Sequence, residues 1–306
     1  NIKAAVNEHQ DVIEFEKAFS KAFETFPDFL KEILIDQMDS VEIPKVEEIL
    51  SDNIFERLEN IPLIDKYAAF QLLDDEWTKV ATDLEIIQTE GFEVVKKVDP
   101  NLVSKKKDGK EQEVQDGWVG HVIPFELIQS TLLKQDYDEI KSLEARLAEI
   151  PSEYESILDE MTEEQKEACK DVLNEAGDAF VPKEVSKMTK ALKKDKTEDG
   201  VQLYVILSKV ENLMKAEKDA KAAIKKQGAE LQTKTKETIE NLSDEEAIEL
   251  LKEKWIVPVN NNIHKLPESI IDELARKVQV LIDKYSVTLL DVENQIKNTE
   301  AELSNM

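Results

Sequence analysis

Glycine and proline are scarce in this chain, and their scarcity limits the folds open to it more than any other feature. Seven of the 306 residues are glycine and nine are proline, about 5% together where roughly 12% is usual. Tight turns and β-hairpins depend on these two residues, so a sandwich, barrel or propeller is excluded. A doubly wound nucleotide-binding domain is excluded as well, because no G-x-G spacing or phosphate-binding loop occurs. We therefore predict a mainly α fold.

Apolar residues repeat at spacings of three and four along most of the chain, which is the pattern of amphipathic helices. The predicted architecture is an elongated bundle of long, antiparallel, coiled-coil-like helices. Near the N-terminus, Phe15, Phe19, Phe23 and Phe26 share one helical face. This phenylalanine stripe favours core packing over a groove for a partner.

Helix starts are marked by capping sequences. TEEQ from Thr162 and SDEE from Ser243 each place a hydroxyl three residues before a glutamine or glutamate. Pro267 predicts a further start. Beyond it, Leu274, Val278, Leu281 and Tyr285 are predicted to face inward. The apolar spacing continues to Leu303 as a coiled-coil-like seam, which we expect to pack against a partner protein. This candidate docking seam consists of Leu274, Val278, Leu281, Tyr285, Val292, Ile296 and Leu303.

Residues 91–124 differ from the rest, because they hold four of the seven glycines and the strand-like pieces FEVVKKV and WVGHVI. Asp-Gly turn signals predict a small β-hairpin around Lys107 to Lys110. The chain is thus divided into an N-terminal helical segment (1–90), a small β-containing insert (91–124) and a long-helix tail (125–306).

The net charge of −27 repels nucleic acid and anionic membrane at long range. No apolar run is long enough to span a bilayer and no secretory signal opens the chain. The single cysteine, Cys169, suits a reducing compartment. We therefore predict a cytoplasmic protein with no membrane partner.

Two lysine-rich places interrupt the acidity. Residues 183–236 carry 14 lysines against 8 acids, and the hairpin tip reads KKKDGK. Both are candidate phosphate contacts, although an ordinary solvated helix face is the favoured interpretation of the first. The candidate lysines are Lys105, Lys106, Lys107, Lys110, Lys193, Lys194, Lys225 and Lys226.

Catalytic and metal-binding patterns are missing from the sequence. His9, His121 and His264 lie far apart, and none has a second histidine or cysteine at zinc-ligand spacing. No nucleophile elbow occurs either. We therefore predict no catalytic, cofactor-binding or metal-binding residue in this chain.

Six segments follow one another along most of residues 55–306. They read IPLIDKYAAFQLLDDEW (61–77), EIIQTEGFEVV (85–95), GWVGHVIPFELIQSTLL (117–133), LNEAGDAFVPKEV (173–185), TKETIENLSDEEAIELLKEKWI (235–256) and KVQVLIDKYSVTLLDVENQI (277–296). Together they resemble the C-terminal portion of the modification subunit of type I restriction-modification systems. The resemblance rests on the order of these segments and on no catalytic motif.

The resemblance implies a specific assembly in a prokaryotic cytoplasm. Intact subunits of this kind are DNA adenine-N6 methyltransferases, which use S-adenosylmethionine and act on a flipped adenine. Two of them join one specificity subunit that reads the DNA, and a restriction subunit completes the complex. The C-terminal helical region is expected to dock on the specificity subunit and help hold DNA.

The chain departs from the full family pattern, since it contains no Pro-Pro dipeptide and no glycine loop for the methyl donor. We therefore expect a C-terminal fragment that binds no cofactor and is inactive alone. Two alternatives stay open: a stand-alone helical scaffold, and an acidic decoy that mimics DNA through its carboxylates.

Overall fold

The computed structural model describes residues 2–107, 110–285 and 289–304, leaving aside the side chains of 105–107, 110, 111, 289 and 290. The predicted fold class is confirmed, because the chain is mainly α with one antiparallel hairpin. The elements are α1 (Ile2–Asn7), α2 (Gln10–Phe23), α3 (Phe26–Lys31), α4 (Ile43–Arg57), α5 (Lys66–Glu90), β1 (Val98–Lys107), β2 (Lys110–Gly120), α6 (Phe125–Thr131), α7 (Lys134–Glu160), α8 (Glu163–Ala168), α9 (Pro182–Leu192), α10 (Glu198–Glu240), α11 (Asp244–Lys284) and α12 (Leu289–Ser304).

The chain folds into two compact units. The terminal unit combines Asn1–Val95 with Ser243–Met306, and the central unit is Lys96–Leu242. These bounds differ from the three predicted segments, because α11 belongs with the N-terminal helices rather than with α7 to α10. The terminal unit is therefore made from two stretches of chain.

Three of the four residues of the predicted phenylalanine stripe lie in the core of the terminal unit, and Phe15 is half-buried. Phe19, Phe23 and Phe26 are fully buried, and the rings of Phe19 and Phe23 stack with their centres 4.7 Å apart. The Arg57 guanidinium lies 5.4 Å from the centre of the Phe26 ring and donates to the carbonyl oxygen of Ala22 at 2.6 Å. These contacts fix α4 against α2 and α3.

A buried carboxylate joins α5 to α11 within the same unit. Asp83 is only 6% exposed, and its Oδ2 accepts a hydrogen bond from Trp255 Nε1 at 2.8 Å. Lys254 Nζ lies 2.5 Å from the same oxygen. Because a buried charge is costly without partners, these two neighbours on α11 make the position of α5 specific.

The central unit is built around α10, which runs for 43 residues. Leu207 and Val210 of this helix are fully buried with Cys169 and with Val185 of α9. Thr197 caps the helix by accepting from the amide of Gly200 at 3.2 Å. A helix of this length is stable here because α6, α7 and α9 all pack along it.

The β-hairpin lies where the turn signals predict it, with Lys107 opposite Lys110 and Val98 opposite Gly120. The FEVVKKV piece is not a strand, and that part of the prediction is wrong. Phe92–Lys96 forms a 3-10 turn in which Val94 and Val95 are both buried. Adjacent residues of a strand point to opposite faces, so a turn is what buries both valines.

Both predicted capping boxes are present. The Thr162 and Ser243 side chains each accept from the amide three residues on, and the side chains of Gln165 and Glu246 each accept from the cap amide. Two orphan amides are therefore satisfied at the start of α8 and of α11.

The predicted helix start at Pro267 is wrong, because Pro258 and Pro267 both lie inside α11. A proline within a helix removes one backbone hydrogen bond and costs about 3 kcal/mol. The apolar stripe of α11 nevertheless continues past Pro267, with Ile263 and Ile271 both buried. Burial of this stripe against the N-terminal helices keeps the helix continuous.

Candidate docking surface on the last two helices

Helix α11 changes character along its length. Its first part packs against α1, α3 and α5, and the buried positions run from Ala247 to Ala275. After Ala275 no described residue of α11 or α12 is buried. The C-terminal portion of this unit thus carries apolar side chains that its own core does not use.

The predicted docking seam falls in this unpacked portion. Leu281 is 54% exposed, Tyr285 64% and Leu303 67%. Leu274, Val292 and Ile296 are also exposed, and Val278 is half-buried. The prediction of an inward orientation concerned Leu274, Val278, Leu281 and Tyr285. It is wrong within this chain, because no described element covers these side chains.

The seam is divided between two helices. Positions 274, 278, 281 and 285 fall on one face at the spacing of a coiled coil. Positions 292, 296 and 303 share a face of α12, which begins at Leu289. Residues 286–288 lie outside the described part of the chain, so the two faces are treated as two separate surfaces.

Sequence spacing alone missed part of this surface. Val280 is 60% exposed and Ile282 49% exposed, and Val280 points almost opposite to Val278 on the helix. The exposed apolar side chains at the end of α11 are therefore not confined to one face, although Gln279, Asp283 and Lys284 lie among them. Exposed apolar surface of this kind usually indicates an interaction site, and nothing in the described chain buries it.

The candidate phosphate contacts are not brought together. Lys193 and Lys194 follow the end of α9, whereas Lys225 and Lys226 lie within α10. At 1.5 Å per residue, the second pair is about 40 Å along α10 from its start. Lys226 also has an acidic neighbour, with its Nζ 3.8 Å from Glu230 Oε1.

The remaining candidates, Lys105, Lys106, Lys107 and Lys110, have side chains outside the described residues. Their backbone lies at the distal end of the hairpin. The base of the hairpin is fixed by Trp118 of β2, over whose ring Lys236 of α10 places its ammonium group at 3.9 Å. This cation–π contact joins β2 to α10.

The histidines do not form a site. His9 caps α2, His121 Nδ1 lies 2.5 Å from Asp99 Oδ2, and His264 Nδ1 lies 2.8 Å from the carbonyl oxygen of Asn260. Within the described residues, no three histidine, cysteine or carboxylate side chains are grouped so that they could hold a metal ion.

Cys169 is fully buried in the core of the central unit. Burial raises the pKa of its thiol, so the thiolate that would act as a nucleophile is disfavoured. Cys169 is therefore a packing residue of this core.

In the described part of the chain, none of the helices has the length and apolarity needed to cross a bilayer. Comparison of the chain with family models, with curated proteins and with solved structures finds no match.

Proposed function

We propose that this chain is the helical assembly region of a type I modification subunit, and that it docks on the specificity subunit through the candidate docking seam. The intact subunit is a DNA adenine-N6 methyltransferase that uses S-adenosylmethionine. In that assembly it meets a second modification subunit, a restriction subunit and DNA, all in the cytoplasm of a prokaryote. The methyl transfer itself belongs to a domain outside these 306 residues.

One observation carries the docking part of this proposal. The end of α11 and the described side chains of α12 expose apolar groups at coiled-coil spacing. Isolated helices are marginally stable in water, and contiguous exposed apolar surface usually indicates an interaction site. A partner helix laid on these faces would bury Leu281, Tyr285 and Ile296 and complete the packing that ends at Ala275.

The identity of the partner rests on the six segments that resemble the family and follow one another in the same order. Two of these segments contribute to this surface. LSDEEAIELLKEKWI forms the buried start of α11, and KVQVLIDKYSVTLLDVENQI covers its exposed end and the first turns of α12. The segment that forms the core and the segment that is exposed are thus the last two of the six. This arrangement suits a domain that anchors a helix and presents its end to another protein.

The decisive experiment is a pull-down with the cognate specificity subunit. We expect the triple variant Val278→Glu, Leu281→Glu and Ile296→Glu to weaken assembly about 100-fold or more, because charge would be buried at several central contacts. The fold should be retained, since Leu281 and Ile296 are exposed and Val278 is half-buried. Substitutions at exposed positions usually change stability by less than about 0.5 kcal/mol. Circular dichroism and thermal melting check that point.

A matched control adds the same three charges on the polar side of the same helices. Gln279→Glu, Asn294→Glu and Asn298→Glu should assemble as the unmodified chain does. Equal assembly by both triple variants would exclude the seam as the docking surface. Self-association of the chain without specificity subunit would instead support a scaffold, and inhibition of a DNA-binding protein would support a decoy.

A further inference from the structure

A recess in the central unit lies beside a loop that is unusually well ordered by its own side chains. The loop runs from Leu173 to Phe180, whose backbones pair as an isolated bridge. Asn174 Oδ1 accepts from the amides of Asp178 at 3.0 Å and Ala179 at 3.2 Å. Gly177, with φ of +76°, makes the reversal without strain. Asp178 and Phe180 are therefore held in fixed positions.

The recess has a volume of about 310 Å³ and lies between this loop, α7 and α10. Its walls are the rings of Tyr154 and Phe180, whose centres are 6.2 Å apart and whose planes are tilted by 54°. Met214 lines it from α10, and the carboxylates of Glu155 and Asp178 also line it. Aromatic faces and carboxylates thus surround one cavity that is open to solvent.

A third carboxylate, Glu217, also lines the recess but is already engaged. Its Oε1 lies 2.5 Å from Lys221 Nζ, and its Oε2 accepts from the Tyr154 hydroxyl at 3.3 Å. Burial, with a contribution from Glu217, raises the pKa of Tyr154 to about 12. Tyr154 therefore remains a neutral phenol at physiological pH, and its ring keeps the electron-rich face that attracts cations.

The other two carboxylates have no cation to balance them among the described residues. Glu155 is exposed with no ion pair, and Asp178 is held only by the amide of Asn174, at 2.6 Å. The recess consequently carries two uncompensated negative charges next to two aromatic faces. Anionic ligands are disfavoured by this combination, and a cation is favoured.

We propose that the recess binds the guanidinium group of an arginine side chain from a basic segment of another protein. The planar guanidinium stacks on an aromatic ring while its N–H groups donate to carboxylates, a combination that the ammonium of lysine does not match. Met214 and the ring edges contact the aliphatic stem of the arginine. The net charge of −27 attracts such a segment at long range. This site is separate from the docking seam and does not depend on the proposed function.

Met214 makes the test direct, because it is the only methionine among the described residues that lines the recess. We would label the methionine methyl groups with ¹³C and titrate the full chain with the peptide Ac-Gly-Arg-Gly-NH₂, assigning the signal with Met214→Leu. We expect the Met214 signal to shift, with a dissociation constant on the order of 1 mM for so small a ligand. The matched peptide with citrulline has the same shape without the charge, and it should leave that signal unmoved.

The carboxylates are tested by the double variant Glu155→Gln and Asp178→Asn. Two exposed ion pairs are worth about a factor of ten together, so binding of the arginine peptide should weaken about tenfold. The control double variant, Asp138→Asn and Glu237→Gln, removes two exposed carboxylates elsewhere in the same unit and should bind as the unmodified chain does. An unmoved Met214 signal, an equal response to citrulline, or equal binding by both variants would overturn the proposal.

Discussion

Replacing Gly120 with alanine should destabilise the central unit by about 3 kcal/mol, which is near the upper end for an overpacked site. A Cβ atom at this position would lie 1.7 Å from the carbonyl oxygen of Ile123. That oxygen belongs to the backbone, so no side-chain rotation can relieve the clash. The base of the hairpin and the start of α6 would have to move apart.

Gly228 provides the matched control. It lies inside α10, and a Cβ atom there would meet no atom within 4 Å. Gly228→Ala should therefore stabilise the same unit by about 0.5–1 kcal/mol, because alanine favours a helix interior. Opposite signs for the two substitutions are the expected result. A Gly120→Ala protein as stable as the unmodified chain would refute the close approach.

Urea titration followed by ¹⁹F NMR of chains labelled with 5-fluorotryptophan measures the two units separately. The chain has three tryptophans. Trp118 reports on the central unit, while Trp77 and Trp255 report on the terminal unit. The midpoint of the Trp118 transition should fall for Gly120→Ala and rise for Gly228→Ala.

Removing the Asp83 carboxylate should have an effect of similar size on the terminal unit. Asp83→Ala leaves the buried Trp255 Nε1 without its acceptor. The same substitution removes the carboxylate that lies 2.5 Å from Lys254 Nζ. Loss of a buried, charge-assisted network of this kind costs about 3 kcal/mol. The Trp77 and Trp255 signals should therefore disappear at lower urea.

The control is Asp75→Ala on the same helix. Asp75 is exposed and accepts only from Gln71 at 3.0 Å among its described contacts, so its removal should change stability by less than about 0.5 kcal/mol. If the two variants unfold at the same urea concentration, the buried network contributes nothing to holding α5 on α11.

The sequence predicted those features of the fold that depend on interactions between residues close together in the chain. The capping boxes at Thr162 and Ser243 and the hairpin between Lys107 and Lys110 all depend on residues a few positions apart. The association of α11 with the N-terminal helices depends on contacts such as Asp83 with Lys254, which are 171 residues apart. No periodicity along the chain contains that information.

The candidate docking surface was predicted only in part, for a related reason. Apolar spacing identifies Leu281 as part of one helical face and Ile296 as part of another, but spacing does not tell whether either face is covered by the chain itself. Val280 was missed because it breaks the three-and-four pattern. The signal for Val280 was the nearly continuous apolar run around it, VQVLI, because polar residues separate the apolar positions in most other helices of this chain.

The arginine recess was not predicted at all, because its parts come from three separate stretches of sequence. The sequence pattern indicates that Tyr154 is an ordinary apolar position of α7. It indicates the same for Met214 in α10. The one local signal was the loop LNEAGDAFVP, where an asparagine and a glycine between two helices indicate an ordered turn. That signal marks a well-defined loop without saying what it faces.

The composition of the terminal unit from two stretches of chain has a consequence for synthesis on the ribosome. The helices that carry Phe19, Phe23 and Phe26 emerge first, but α11, which completes their packing, follows the whole central unit, Lys96–Leu242. At about 5–20 residues per second, those intervening residues take roughly 7–30 s to translate. The central unit can fold during this interval, while the nascent N-terminal helices wait with apolar surface uncovered. The central unit can therefore complete its fold before the terminal unit does, although the terminal unit begins first along these residues.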